Sequence, residues 1–169
     1  MRRILGIDPG SRVTGYGIIV SDGIRSRHVA SGSIRLGGED FPVRLGEIFR
    51  RITGLVAEYA PEELAIEQVF VSRNPSSALK LGQARGAAIC AAVVAGLPVC
   101  EYTPRMIKQS VVGTGSADKE QVQHMVQRLL GLQERPAADQ ADALAVAISH
   151  AHSDSMRLRV GMYSAGRRL

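Results

Sequence analysis

The chain has 169 residues, of which 45% are hydrophobic and 22% are charged, and this composition is ordinary for one globular domain. Its apolar runs predict neither a membrane span nor a signal peptide, so we expect a cytoplasmic protein. Lysine and arginine outnumber aspartate and glutamate by 21 to 16, which favours a polyanionic partner such as nucleic acid. Cys90 and Cys100 fit neither a zinc nor a redox spacing and are expected to be reduced.

The amino-terminal part of the sequence predicts three consecutive strands. Residues 2–8 form an apolar run that ends in Asp8, and residues 14–21 form a second strand. The Asp-Gly pair within residues 21–24 predicts a hairpin turn into a third strand, which extends to about residue 35. These three strands are expected to form a meander.

The middle of the sequence alternates between helix and strand. Residues 43–60 carry apolar side chains at helical spacing and are followed by Pro61, which ends the predicted helix. A fourth strand is predicted over residues 62–70 and a fifth over residues 97–102. Between them, residues 77–95 form a helix rich in alanine and glycine.

The last third of the sequence is predominantly helical. Helices are predicted from Pro104 to about residue 111, over residues 118–130, and over residues 138–152. The order of elements predicts an α/β fold, with a mixed five-stranded sheet flanked by helices. Residues 1–152 are predicted to form one domain, and residues 153–169 a basic, mobile tail without periodicity.

Four carboxylates are candidates for a shared metal site. Asp8 ends the first strand, although turn chemistry alone also explains an Asp-Pro-Gly sequence. Glu67 interrupts an apolar strand, where an unpartnered charge is costly to bury. Asp139 and Asp142 lie near one face of the last helix, where the helix dipole or simple solvation also explains them. If strands one and four are neighbours beneath this helix, the four carboxylates suit Mg²⁺ or Mn²⁺.

Five stretches of the sequence carry a family resemblance. They are "GIDPGSRVTGYGI" (6–18), "AIEQVF" (65–70), "LGQARG" (81–86), "YTPRMIKQSVVGTGSADKEQV" (102–122) and "DQADALAVAI" (139–148). The first stretch alone recurs in many ribonuclease H-like domains. Together, in this order and spacing, the five resemble the RuvC family of Holliday-junction resolvases from residue 2 to about residue 152.

The resemblance implies a ribonuclease H-like fold, a homodimer, and Mg²⁺-dependent symmetric nicking of two opposed strands in a four-way DNA junction. It also implies products with 5′-phosphate and 3′-hydroxyl ends. From the carboxylate chemistry itself we expect two ions per subunit, with Mn²⁺ as a substitute for Mg²⁺. The resemblance also implies cooperation with a RuvA–RuvB branch-migration complex and a sequence preference at the cut. The family's acidic positions, which are the candidate catalytic and metal-binding residues, fall on Asp8, Glu67, Asp139 and Asp142.

Residues near these acids are candidates for DNA contact. Phe70 follows the fourth strand and precedes a polar loop, so we expect its ring to stack on an unpaired base, with core packing as the alternative. The resemblance also places a junction-wedging aromatic there. The candidates for contact with the phosphate backbone are Arg73, Lys80, Arg85, Arg105, Lys108 and Lys119. Of these, Lys108 and Lys119 lie at positions where the family has basic residues.

Two other features leave alternatives open. The small residues of helix 77–95 allow close packing either against a second subunit in a two-fold dimer or against the chain's own sheet. His150 and His152 follow the acids on the last helix, and we expect them to be surface or helix-end residues rather than metal ligands.

Three rival functions remain at this point. An actin-like ATPase uses a similar acidic-glycine hairpin but needs two such lobes, whereas this chain has one copy of the motif. A non-catalytic junction-binding protein would be expected to lack one or more of the acids, and all four are present. A related ribonuclease H-like nuclease acting on RNA or linear duplex DNA would use the same acids, so only substrate shape would distinguish it.

Overall fold

A mixed five-stranded sheet forms the centre of the molecule. The computed structural model describes residues 1–38, 40–70 and 74–165, with side chains through residue 153. The strands are β1 (Arg2–Asp8), β2 (Val13–Ser21), β3 (Ser26–Arg35), β4 (Glu63–Glu67) and β5 (Val99–Tyr102). Their order across the sheet is β3-β2-β1-β4-β5, with antiparallel pairing among the first three strands and parallel pairing of β1 with β4 and of β4 with β5.

Helices cover both faces of this sheet. They are α1 (Phe41–Tyr59), α2 (Pro75–Val94), α3 (Pro104–Val112), α4 (Lys119–Leu130) and α5 (Ala138–Ala165). Side chains of α1 and α2 form one apolar core with the sheet, and α3, α4 and α5 form a second core on the opposite face. No helix in the described part of the chain is long and apolar enough to cross a membrane.

The predicted order of elements is confirmed, and only β4 and α5 differ from the predicted bounds by three residues or more at one end. β4 ends at Glu67 rather than near residue 70. The neighbouring strand β5 is followed by α3, which begins at Pro104. Because proline has no N–H, it cannot continue the pairing with β4. α5 continues to Ala165, beyond the predicted end at residue 152. That extension contains no proline, so its backbone can remain helical without an amphipathic pattern.

The division into a nuclease domain and a basic tail stays a prediction. Helical backbone extends from the first part, residues 1–152, into the second, residues 153–169. Residues 166–169 lie outside the described residues. The mobility expected of this tail is therefore also still a prediction.

The two faces of the sheet differ in side-chain size. Large aliphatic side chains, including Leu5 and Ile7, cover the face towards α1 and α2. The opposite face has glycine where α5 crosses it. A Cβ atom on Gly6 would lie 2.2 Å from the carbonyl oxygen of Ala143, and one on Gly15 would lie 2.1 Å from that of Asp139. The backbone of α5 therefore lies directly against β1 and β2.

A buried chain of hydrogen bonds also joins α5 to the sheet. Tyr102 Oη and His150 Nδ1 are 2.6 Å apart, and His150 Nε2 contacts the carboxylate of Glu63. The same carboxylate accepts a 2.8 Å hydrogen bond from Arg2. His150 is only 2% exposed, so the expectation of a surface histidine is wrong. Residues 143–151 are all buried, so the imidazole of His150 lies in the core, where most polar groups have hydrogen-bond partners.

We predict that Gly6→Ala lowers the free energy of unfolding by about 1–3 kcal/mol or more, because overpacking forces the strand and helix apart. The matched control is Gly54→Ala in α1, where a Cβ atom would have nothing within 4 Å. That change should be neutral or stabilising by up to about 1 kcal/mol, since alanine favours helix. Urea denaturation measures both, and a Gly6→Ala protein as stable as the wild type would contradict the close approach of α5.

Candidate active site

The pairing of β1 with β4 brings the first two predicted acids together. The strands run parallel with Ile7 opposite Ile66. The residues that follow, Asp8 and Glu67, therefore point from the same face at the carboxyl ends of adjacent strands. The interaction between their carboxyl groups raises the pKa of Asp8 and opposes the increase in the pKa of Glu67. The expected neighbourhood of strands one and four beneath the last helix is confirmed.

Three of the four acids line one cavity. Asp8, Glu67 and Asp142 face a space of about 290 Å³ between the sheet, α3, α4 and α5. Lys108 from α3 and Lys119 from α4 line the same cavity. Its other walls are apolar and are formed by Pro104, Ile107, Val122 and Ala145.

Asp139 lies beside this cavity rather than in its wall. It occupies the first turn of α5, one helical turn before Asp142. Its negative charge nevertheless raises the pKa values of Asp8 and Asp142. Electrostatically, the four carboxylates therefore form one group.

Burial and mutual repulsion disfavour the ionised state of these acids. Burial, followed by the charges of Glu67 and Asp142, raises the pKa of Asp8 to about 8. Burial also raises the pKa of Glu67 and of Asp142. Lys108 and Lys119 oppose both increases, since a nearby positive charge favours the carboxylate. The lysines do not fully compensate the negative charge.

The chemistry of these donors fits a hard divalent cation. All four are carboxylates, and oxygen ligands are those that Mg²⁺, Mn²⁺ and Ca²⁺ prefer. The raised pKa of Asp8 favours a proton on this carboxyl, and protonation relieves the same repulsion that a bound cation would relieve. Among the described side chains no three His, Cys, Asp or Glu are already grouped so that they could hold an ion.

Phe70 is exposed, and the alternative of core packing is wrong. Its side chain is 61% exposed, three residues after Glu67. It borders an apolar groove of about 470 Å³ whose other wall is the start of α2, including Pro75 and Leu79. Leu79 is also largely exposed. An aromatic ring three residues from Glu67 is thus accessible to a ligand.

The basic candidates occupy different environments. Lys108 and Lys119 lie at the cavity, and Arg105 is exposed at the start of α3. Lys80 is exposed on α2, where its ammonium group lies 5.9 Å from the centre of the Phe41 ring. Arg73 lies outside the described residues.

Arg85 differs from the other basic candidates because its guanidinium group is bound within the protein. Its Nε donates a 3.1 Å hydrogen bond to the backbone carbonyl of Glu67. Its Nη2 forms an ion pair with the carboxylate of Glu101. The side chain is only 18% exposed. A contact between Arg85 and DNA stays a prediction. In the structure its partners are the carbonyl of Glu67 and the carboxylate of Glu101.

Three supporting features of the site were absent from the sequence interpretation. They are the close contact of glycines with α5, the partners of Arg85 and the burial of His150. Glycine at alternate positions of a predicted strand, Gly15 and Gly17, was an available signal, because such glycines often mark close backbone approach. The partners of Arg85 and His150 depend on tertiary contacts.

Comparison with known proteins identifies the family. Residues 4–150 match the family described as crossover junction endodeoxyribonuclease RuvC. The chain belongs to the RuvC family. A RuvC from Marinobacter nauticus is 59% identical over 160 residues, covering 95% of this chain and 91% of that protein. A RuvC from Hahella chejuensis is 55% identical over 168 residues, covering 99% and 98% of the two chains.

Solved structures agree with the fold. T. thermophilus RuvC, described in complex with a Holliday junction substrate, superposes with a TM-score of 0.87 at 36% identity, covering 93% of this chain and 97% of that one. A yeast mitochondrial Holliday junction resolvase shares the fold at a TM-score of 0.66 and 13% identity, over 91% and 81% of the two chains. The ribonuclease H-like fold predicted from the sequence is confirmed. As a RuvC family member, the chain is an endodeoxyribonuclease, and the family implies use of a divalent metal.

We predict that Asp8→Asn stabilises the protein when divalent ions are absent. Folded protein retains a proton on Asp8 up to a pKa of about 8, whereas the ordinary pKa of this group is 3.8. The wild type should therefore lose stability as the pH rises between these values, and the variant should lose less. Since one pKa unit corresponds to about 1.4 kcal/mol, the advantage of the variant should exceed ~1 kcal/mol near neutral pH.

Urea denaturation in EDTA across this pH range measures the effect, with Glu134→Gln, a change at an exposed carboxylate, as the control. Added Mg²⁺ should stabilise the wild type more than Asp8→Asn, because the variant lacks one anionic ligand. A wild type whose metal-free stability rises from about pH 5 to pH 8 would contradict the proposed proton on Asp8.

Proposed function

We propose that this chain resolves four-way (Holliday) DNA junctions by paired symmetric nicks, in DNA recombination and repair. The observation that carries the proposal is the meeting of Asp8, Glu67 and Asp142 in one cavity of a RuvC-family fold. The relatives are named for crossover junctions, and T. thermophilus RuvC is described with such a substrate. The alternative is a related nuclease that acts on another nucleic acid, and a comparison of junction with duplex cleavage distinguishes the two.

The four acids are the proposed catalytic and metal-binding residues. Asp8, Glu67, Asp139 and Asp142 would hold the divalent ions, which we propose are two Mg²⁺ per subunit with Mn²⁺ as a substitute. Such ions activate water and stabilise negative charge on a phosphodiester, consistent with 5′-phosphate and 3′-hydroxyl products. The protein supplies the oxygen ligands and a cavity in which protons or cations must balance their charge.

Lys108 and Lys119 are the proposed phosphate-binding residues closest to the chemistry. Both line the cavity with the acids, and their charges already act on Glu67 and Asp142. A DNA phosphate entering this cavity meets repulsion from the carboxylates. The two ammonium groups reduce that repulsion and favour the additional negative charge that develops during hydrolysis.

The surface around Phe70 is proposed to contact the open centre of the junction. Its exposed ring can stack on an unpaired base, an interaction worth about 1–3 kcal/mol. The short separation from Glu67 would place that base close to the cleaved phosphate. Arg73, Lys80 and Arg105 are proposed to bind the flanking phosphate backbone.

A homodimer is proposed because two opposed nicks need two active sites related by two-fold symmetry. On α2, Ala84 and Ala88 are buried in the core with the chain's own sheet, whereas Val93 and Val94 are exposed and available to a second subunit. Cooperation with a RuvA–RuvB complex and a cytoplasmic location are proposed from family membership.

Junction selectivity can be tested by incubating the protein with a four-way junction or a linear duplex of equal sequence, in Mg²⁺ or EDTA. We expect symmetric nicks in the junction alone, in Mg²⁺ alone, with ends that a ligase can seal directly. Equal cutting of both DNAs would favour the alternative nuclease, and cutting in EDTA would exclude the metal mechanism.

We predict that Asp8→Asn abolishes cleavage but leaves junction binding intact, because it removes a metal ligand and little DNA-contacting surface. Rates should fall by at least about 100-fold, as expected when a group that supports the charge of the transition state is lost. Single-turnover cleavage in Mg²⁺ and gel-shift titration in EDTA measure the two properties. Substantial residual turnover would exclude an essential role for Asp8.

A further inference from the structure

The backbone carbonyl of Glu67 lies at the point where β4 leaves the sheet. The amide of Leu64 in β4 donates to the carbonyl of Pro98 at 3.0 Å, and the amide of Gln68, just after β4, donates to that of Tyr102 at 2.8 Å. Even-numbered residues of β4 thus direct their backbone groups to β5. Since these directions alternate along a strand, Glu67 directs its carbonyl towards β1.

No strand amide is available to this carbonyl in the parallel pairing of β1 with β4. Ile7 lies opposite Ile66, so the next donor along β1 in register with the Glu67 carbonyl would be residue 9. That residue is Pro9, which has no N–H. The carbonyl of Glu67, a residue whose carboxylate lines the cavity, therefore has no hydrogen-bond donor on β1.

Arg85 supplies the missing donor. Its Nε donates to the Glu67 carbonyl at 3.1 Å, while its Nη2 is held by the carboxylate of Glu101 on β5. The peptide group between Glu67 and Gln68 is consequently held at both ends, at C=O by Arg85 and at N–H by Tyr102. A peptide group is planar, so fixing it restricts the backbone from which the Glu67 side chain projects.

We propose that Arg85 is a positioning residue that fixes the direction of the Glu67 carboxylate, with Glu101 as its anchor. The inference rests on the proposed function, because it assigns Glu67 a role in the reaction. It replaces a phosphate contact as the function of Arg85: two nitrogens of the guanidinium group are already bound inside the protein, and the side chain is largely buried. Lysine cannot reproduce this fork, because an ammonium group is a single point charge.

The test uses the full chain and the variants Arg85→Lys, Arg85→Ala and Glu101→Ala, with Arg128→Lys at an exposed position as the control. Three properties are measured: junction affinity in EDTA over a range of salt, single-turnover cleavage at saturating protein in Mg²⁺, and amide hydrogen exchange of the peptide that contains Gln68. Thermal denaturation establishes that each variant is folded.

We expect Arg85→Lys and Glu101→Ala to bind the junction within about 2-fold of wild type with an unchanged salt slope, but to cleave at least about 10-fold more slowly. Hydrogen exchange at Gln68 should be faster in both, and Arg128→Lys should change none of the three properties. Because hydrogen exchange needs no activity, it tests Arg85 even if the wild type does not cut junctions.

A direct phosphate contact gives the opposite pattern. Arg85→Ala would then weaken binding and reduce the salt slope by about one, Arg85→Lys would restore both, and Glu101→Ala would tighten binding by freeing the arginine. That pattern overturns the proposal. Unchanged hydrogen exchange in Arg85→Lys and Glu101→Ala, or wild-type cleavage by Arg85→Lys, overturns it equally.

Discussion

The last helix lies directly on the sheet because Gly6, Gly15 and Gly17 have no side chains to hold it away. This close packing sets the height of the α5 backbone above β1 and β2. It thereby sets the distance between Asp142 on the helix and Asp8 on the strand. A methyl group at any of the three glycines would move the helix, and with it an acid, relative to the other ligands. The geometry of the site thus depends on residues that carry no chemistry themselves.

The same packing creates an electrostatic cost. It places Asp8, Glu67 and Asp142 in one partly closed cavity, where burial and repulsion raise their pKa values. Apolar cores on both faces of the sheet and the buried Tyr102–His150 contact offset that cost by holding α5 in place. A cation bound among these carboxylates would remove part of the repulsion that folding imposes on them.

Much of this arrangement follows from the sequence alone. Alternating and helical periodicities predict the order of elements, and an acid inside the apolar stretch around Glu67 indicates a buried functional charge. Convergence of Asp8 with Glu67 required only that strands one and four be neighbours. The sequence does not reveal which pairs of distant residues are in contact. His150 has the local pattern of a polar residue near a helix end, and only the position of Glu63 makes it a buried partner. Arg85 likewise resembles a DNA-contacting residue in the sequence, and only the structure shows that it forms an ion pair with Glu101.

Pro9 illustrates how one residue can serve both the local turn and the distant site. In "ILGIDPG" it ends β1, so that Asp8 occupies the rim of the sheet beside Glu67. Because proline lacks an N–H, it also leaves the Glu67 carbonyl without a partner on β1. An unpaired, partly buried carbonyl is costly, and a donor from outside the sheet is favoured. Arg85 on α2 donates a hydrogen bond to this carbonyl. The stretch that positions Asp8 therefore also explains why a helix on the opposite face of the sheet binds the backbone of Glu67.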